Sequence, residues 1–287
     1  MKTVTIKAPA KINLTLEVLD KRADGFHNIK SIMQAISLCD FLRISLSDAD
    51  ENCLELSGSS DEIPYDERNI IHKAWKLMCE ENILANKKIE VYVEKNIPVA
   101  AGLAGGSTDA AGFLYGVNYL LENKMSENKL NELCARLGSD LNFCLTGGCA
   151  FCTSRGEIIR KLPSVEKTLS LIKPKKLGIS AGEAYKLFSQ LTEDEKKVPD
   201  YTDALADKIR SGAFDEGLVY NSLEKGLFEK YEVLKKIKTA VPHSLMSGSG
   251  STFFIFGKVK REDFDLDEFD VIEDLCFLPY GAAVCEI

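Results

Sequence analysis

No apolar run in this chain approaches the roughly 20 residues of a membrane-spanning helix, which argues against an integral membrane protein. A secretory leader is also missing, because lysines at positions 2, 7 and 11 interrupt the opening segment. Basic residues are outnumbered, 36 Lys and Arg against 44 Asp and Glu, for a net charge of −8. With no basic stripe along any segment, a general nucleic-acid binder is excluded. No internal repeat and no long low-complexity linker divides the chain. The nine cysteines are odd in number and scattered, and they read as reduced thiols of a cytoplasmic protein. Cys144, Cys149 and Cys152 have the C-x4-C-x2-C spacing that opens an iron–sulfur pattern. A closed metal site needs a fourth ligand, and the next cysteine, Cys276, lies far along the chain in an apolar run. The uncharged segment from Phe143 to Cys152 reads instead as a buried strand, and no metal ligand is assigned.

What remains is a chain of 287 residues, 45% hydrophobic and 28% charged, long enough for one large domain or two closely packed lobes. If such an acidic chain binds a nucleotide, it must use local devices: backbone N–H groups, helix N-termini and a few lysines. Alternating apolar residues predict strands at 4–6, 12–18, 42–46, 54–56 and 89–95, with the 12–18 strand half exposed. Helical spacing marks 70–81, 110–121 and 126–138, the last opened by Ser126 and closed by Gly138. Further on, 169–172 reads as a strand, 173–176 as a solvated turn, and 182–191 and 221–238 as helices. The glycine- and serine-rich turn from Ser244 leads into a strand at 252–256, and the acidic stretch 262–274 reads as including a surface helix or loop.

The segment Pro98-Val99-Ala100-Ala101-Gly102-Leu103-Ala104-Gly105-Gly106-Ser107-Thr108 stands between a predicted strand and a predicted helix. Such a loop can turn N–H groups inward, the helix adds the positive end of its dipole, and glycine admits a phosphate without a Cβ in the way. It is neither a Walker loop, since no Gly-Lys-Ser/Thr closes it, nor a G-x-G-x-x-G dinucleotide fingerprint. A tight strand-to-helix turn with no ligand fits the same residues. Ser107 and Thr108 suit helix capping, and their hydroxyls are also within a loop that would meet phosphate.

Three segments taken together carry a resemblance: Ala8-Pro9-Ala10-Lys11-Ile12-Asn13-Leu14 with Arg22-Ala23-Asp24-Gly25-Phe26-His27; the glycine loop; and Met246-Ser247-Gly248-Ser249-Gly250-Ser251-Thr252. In this order they resemble the three motifs of the GHMP kinases, named for galactokinase, homoserine kinase, mevalonate kinase and phosphomevalonate kinase. The opening segments, with Leu137-Gly138-Ser139-Asp140, are most similar to the branch that phosphorylates cytidine diphosphate methylerythritol in non-mevalonate isoprenoid synthesis. The resemblance implies a two-lobed α+β fold with the active site in the interlobe cleft. The boundary is expected near residue 155, giving an ATP-binding lobe at 1–155 and a substrate-binding lobe at 156–287. It implies ATP and Mg2+, with no protein ligand assigned to the metal, and a small-molecule partner; monomer and homodimer stay open.

The same resemblance implies roles for single residues. Asp140 matches the catalytic aspartate and Lys11 the catalytic lysine that pairs with it; read alone, the residues favour a helix N-cap and a snorkelling surface lysine. Phe26 and His27 would recognise cytosine by stacking and by a hydrogen bond, and Tyr185 would stack from the other lobe. Core packing is the alternative for both aromatics. Asn13 shares the strand face of Lys11 and would touch the substrate. Asn69 and Lys95 align with residues near adenine. Relatives carry glycine at some of Ala100, Ala101 and Ala104, proline at Asn142 and Ser251, aspartate at Ser222 and tyrosine at Phe26; the change at Asn142 is expected to loosen the turn after Asp140. The rival readings are a mevalonate- or homoserine-type kinase and a non-catalytic nucleotide-binding paralogue.

Overall fold

The computed structural model describes residues 1–197 and 199–285. In chain order the elements are β1 (Lys2–Lys21), β2 (His27–Asp48), β3 (Cys53–Gly58), α1 (Ile70–Glu80), β4 (Lys87–Glu94), α2 (Gly105–Leu120), α3 (Glu127–Leu137), α4 (Leu141–Thr146), β5 (Cys149–Ser154), β6 (Ile158–Leu162) and β7 (Thr168–Pro174). There follow α5 (Ala181–Ser189), α6 (Glu193–Lys196), α7 (Tyr201–Arg210), β8 (Tyr220–Asn221), α8 (Glu224–Lys230), α9 (Glu232–Ala240), β9 (Leu245–Met246), β10 (Phe253–Phe256), β11 (Phe269–Cys276) and β12 (Ala283–Val284). This is an α+β fold built on two sheets.

The larger sheet runs β12-β1-β2-β4-β3, with β5 also paired to β2, β6 to β5 and β8 to β1. The smaller runs β11-β7-β10-β9. α1 and α2 cover one face of the larger sheet through Ile71, Ala74, Phe113, Leu114 and Val117, which pack on Ile6, Ile44 and Val91. A second apolar cluster joins the sheets, bringing Ile12, Leu14 and Ile32 together with Leu169, Leu171 and Phe254. Residue 155 lies in the turn of the β5–β6 hairpin, which belongs wholly to the larger sheet. β8 and β12 return to that sheet from late in the chain, so sequence order and lobe membership do not coincide.

Several expectations are corrected here. The strand predicted at 12–18 is not half exposed: Asn13, Thr15 and Glu17 are as buried as the apolar residues between them. The second lobe covers their face, where Thr202 N–H donates to Glu17 Oε1 at 2.8 Å and Ser222 N–H to Leu16 O at 2.8 Å. Alternation in this strand therefore marks a polar inter-lobe face rather than a solvent face. The segment 143–152 is a helix end followed by a strand, because Gly147 and Gly148, both at positive φ, break it. The helix expected at 221–238 is split at Tyr231 into α8 and α9. The acidic stretch 262–274 does include a short 3-10 turn at Arg261–Asp263 and a loop, but from Phe269 onward it is β11, whose buried Phe269, Val271 and Leu275 outweigh its charges. Lys173 ends β7 with its side chain buried and bonded to Pro174 O, so only Lys175 and Lys176 form the solvated turn.

Candidate active site

The three motif segments meet at one place. The glycine loop begins at Pro98, shortly after β4 ends at Glu94, and enters α2 at Gly105, and its backbone is tied on three sides. Lys11 N–H of β1 donates to Leu103 O at 3.2 Å, Ser247 Oγ to Gly102 O at 3.0 Å, and Ile179 N–H to Ala100 O at 3.2 Å. Gly102 is at φ +76°, and a Cβ there would lie 2.1 Å from Ser247 O, so only glycine fits this approach. Ala100 and Ala104 also take left-handed conformations, at φ 50° and 60°. Such a backbone costs an alanine about 1–2 kcal/mol, which the surrounding ties offset.

The capping expectation for Ser107 and Thr108 fails. The N-cap position of α2 is Ala104, and no side chain caps the helix. Thr108 turns away and donates to Pro9 O at 2.8 Å, and Leu103 is buried in the core. The first turn of α2, Gly105 to Ser107, lines the cleft with its N–H groups uncapped by side chains. At Gly106 an added Cβ would meet only Ile70 Cγ2, at 3.7 Å, so packing within the protein does not require glycine there. The space beside it belongs to the cleft. An uncapped helix N-terminus facing open space is a ready site for phosphate, and the nucleotide implied by the resemblance fits it.

The cleft is a cavity of about 1010 Å³. Lys11, Lys21, Arg68, Lys95, Arg155 and Lys186 line it against the acids Asp24, Asp109 and Asp140. Six cations against three acids, in a chain of net charge −8, mark a site for a polyanion. Lys11 Nζ lies 3.8 Å from Asp140 Oδ2 and donates to Asn13 Oδ1 at 2.6 Å. Asn13 in turn donates to Ser31 Oγ at 2.8 Å, and Ser31 to Thr15 O at 2.5 Å. This chain of donors holds the lysine rigidly in a strand where it is nearly inaccessible. Asp140 sits at the N-cap position of α4, yet its side chain accepts no N–H of that helix. It faces the cleft and Lys11 instead. Asn142 does not loosen the turn: its amide donates to Asn131 O at 2.9 Å, fastening α4 to α3.

Also lining the cleft, the His27 and Tyr185 rings stack, with centroids 5.2 Å apart and planes 15° from parallel. His27 Nε2 is 3.4 Å from Ser189 Oγ. Burial, helped by the charge of Lys21, holds the His27 imidazole below its ordinary pKa, and burial raises the Tyr185 phenol. Phe26 is half exposed, its ring under the Arg155 guanidinium at 5.0 Å, an open face for a flat ligand. Asn69 lines the cleft, but its amide is occupied: Oδ1 accepts Ile71 N–H at 2.9 Å as the cap of α1, and Nδ2 donates to Pro64 O at 2.7 Å. Lys95 is paired with Asp40 and Asp109. These two acids were not assigned from sequence; the only signal was Asp109 directly after the glycine loop. The third-motif turn is held by Asn221, which donates to Met246 O at 2.7 Å and Gly248 O at 2.8 Å.

Cys144, Cys149 and Cys152 are all buried, and burial pushes their thiols up, Cys149 to about 12. Among the described residues no three His, Cys, Asp or Glu side chains converge as a metal site.

A glycine-loop kinase cleft between two lobes defines the class, and comparison with known proteins agrees. The pattern of the GHMP kinases N terminal domain matches residues 69–152. A 4-diphosphocytidyl-2-C-methyl-D-erythritol kinase of Bacillus velezensis is 38% identical over 89% of this chain and 88% of its own length. One from a Geobacillus species is 38% identical over 90% and 88%. A crystal structure of 4-(cytidine 5'-diphospho)-2C-methyl-D-erythritol kinase superposes with a TM-score of 0.77 at 25% identity, covering 95% of this chain and 99% of that one. Homoserine kinase from Cytophaga hutchinsonii shares the fold, with a TM-score of 0.74 at 19% identity over 99% and 98%. The chain belongs to the GHMP kinases and, within them, to the 4-diphosphocytidyl-2-C-methyl-D-erythritol kinase family.

Proposed function

We propose that the protein transfers the γ-phosphoryl group of ATP to the 2-hydroxyl of 4-diphosphocytidyl-2-C-methyl-D-erythritol. The observation that carries this is that one cleft is lined by the uncapped first turn of α2, by Lys11 beside Asp140 and by the stacked His27–Tyr185 pair. The triphosphate lies on the glycine loop and the cytosine between Phe26 and Tyr185, which puts the reacting hydroxyl near Lys11 and Asp140. ATP supplies the phosphoryl group, with Mg2+ neutralising its charge. Asp140 accepts or orients the hydroxyl proton, and Lys11 draws the alkoxide character onto its ammonium. A tertiary alcohol is a crowded nucleophile, so positioning carries much of the rate. Neutral His27 can both donate to and accept from the cytosine edge, and Lys186, Arg155 and Lys21 supply charge for the diphosphate. Asn13 sets the rotamer of Lys11 and also faces the acceptor. Asn69 and Lys95 bound the nucleotide end, Asn69 as a capped wall rather than a free hydrogen-bonding group.

The loop and Lys95 belong to the lobe built on the larger sheet, while Tyr185 reaches in from α5, so the cytidylyl group closes the two lobes on one another. The reduced thiols fit a cytoplasmic setting.

The test is ADP release with ATP, magnesium and the cytidylyl substrate, run beside mevalonate and homoserine. Turnover with the cytidylyl compound alone is expected. Turnover with mevalonate or homoserine at a similar rate would sink the specificity reading, and none with any acceptor from protein that binds ATP would indicate a non-catalytic paralogue.

A further inference from the structure

Beneath the glycine loop lies a charged cluster that phosphoryl transfer as described leaves without a task. The Lys95 side chain is 5% exposed and is held between two carboxylates that are 0% and 4% exposed, those of Asp40 and Asp109. Its Nζ bonds Asp40 Oδ2 and lies 3.0 Å from Asp109 Oδ2. Asp40 comes from β2, and its other oxygen accepts Asn96 N–H at 2.6 Å and Ile97 N–H at 2.8 Å. It thereby fixes the chain at the point where it leaves β4 for the loop. Asp109 comes from α2, one turn beyond Gly105, and its Oδ1 is buried with no hydrogen-bond partner. A Cβ added to Gly105 would lie 2.8 Å from Lys95 Nζ, so the ammonium rests against the first turn of α2. That turn lines the cleft.

One carboxylate is enough to neutralise one buried lysine, and Asp40 already does so, while its other oxygen is satisfied by Asn96 and Ile97 N–H. A second buried acid with an orphaned oxygen is a cost that bare fold stability does not require. We propose that Asp109 and Asp40 are positioning residues for the nucleotide: together they seat the Lys95 ammonium under the first turn of α2, so that its charge and the helix N-terminus act jointly on a polyphosphate in the cleft. This rests on the reading of the cleft as an ATP site.

The state of Asp109 then matters to the ligand. Burial, together with the nearby Asp40 charge, pushes the Asp109 carboxyl up to about 8 against the pull of Lys95. A protonated Asp109 still accepts from the Lys95 ammonium through Oδ2 and, with Asp40, keeps it under the turn without adding a second charge. As pH rises through that value Asp109 becomes a second anion close to the polyphosphate. The elements packed on α2 bring few other charges to bear. β2 contributes Asp40 and the end of β4 contributes Lys95, α4 sets the Cys144 thiol beside Thr108, and β1 and α1 present the apolar Ile6, Ala8 and Ile70.

The test is Mg–ATP binding to the full chain by calorimetry between pH 6.5 and 9, wild type against Asp109→Asn. ATP's own titration is common to both proteins and cancels in the ratio. The ratio of wild-type to variant Kd should rise about tenfold across this range, since an extra buried anion acts at an effective dielectric constant of ~20. KM for the cytidylyl substrate should not follow it. Parallel profiles within about twofold, or an acceptor KM that shifts as much as ATP affinity, would overturn the proposal. Should the variant not fold, the wild type alone decides: binding at pH 8.5, in buffers of different ionisation enthalpy, should take up a fraction of a proton, and zero uptake refutes the idea. ATP binding with this signature but no turnover would fail the acceptor reading while leaving the seat intact. No ATP binding at any pH would fail the nucleotide reading and the seat with it.

Discussion

Replacing Asp140 by Asn removes one charge and one proton acceptor while keeping shape. The structure separates what this does to stability from what it does to rate. Asp140 Oδ2 stands 3.8 Å from Lys11 Nζ. At an effective dielectric constant of ~20 the Coulomb attraction across that gap is about 4 kcal/mol. Asp140 is about a third exposed, and solvent screening brings the effective loss to about 1–2 kcal/mol. Lys11 keeps its bond to Asn13 Oδ1, so the ammonium is not stranded. A chain of this size should lose about 2–4 °C of Tm per kcal/mol, and the variant stays folded at assay temperature. Turnover is another matter, because the amide accepts no proton and cannot balance the lysine. kcat should fall on the order of 10²–10⁴-fold. KM for ATP and for the cytidylyl substrate should move by less than about threefold, since neither base nor triphosphate touches Asp140. The assay is ADP release with Tm measured on the same preparation. A kcat within tenfold of wild type would refute the role given to Asp140, and a collapse of both KM values would make it a structural group.

Three further outcomes are expected. His27→Ala should raise KM for the cytidylyl substrate about tenfold, the value of one hydrogen bond with its stacking, and leave KM for ATP unchanged; equal loss for both ligands would point to misfolding. His27 titrates below its ordinary value because of burial and Lys21, so it is neutral at pH 7 and protonates only on acidification. Affinity for the cytidylyl substrate should therefore be flat through neutral pH and fall only at a pH below the ordinary imidazole range, while stability falls from about pH 6.5 downward as the unfolded histidine gains its proton first; an affinity that already falls at or above about pH 6.5 in binding assays would contradict this. Gly102→Ala places a Cβ 2.1 Å from Ser247 O at a positive φ, so it should destabilise the protein by about 2 kcal/mol or more and abolish tight ATP binding, readable in denaturant melts and in calorimetry.

Short-range patterns carried much of the architecture. Asn69 and Ser126 open their helices at the positions their side chains dictate, accepting Ile71 N–H and Lys129 N–H. The glycine loop was recognisable because only small residues tolerate its backbone, and the resemblance to the GHMP kinases implied a shared cleft for Lys11, Asp140, His27 and Tyr185, all four of which line it. Where reading failed, a distant segment had overruled a local rule. Asn13, Thr15 and Glu17 looked solvent-facing until the second lobe covered them, and the acidic β11 is a strand because β7 offers it a partner. Ser107 and Thr108 have the chemistry of caps, but the left-handed Ala104 starts the helix one turn too early for them.

By itself, then, the sequence determined the kind of loop, the helices with strong caps and the residue types available for chemistry, because those depend on steric rules spanning a few residues. Tertiary structure alone decided that Asp140 faces Lys11 instead of capping α4, and that Asp40 and Asp109 meet at one lysine. Those outcomes join residues up to 129 positions apart in the chain, and they depend on how two sheets pack, which no local pattern encodes.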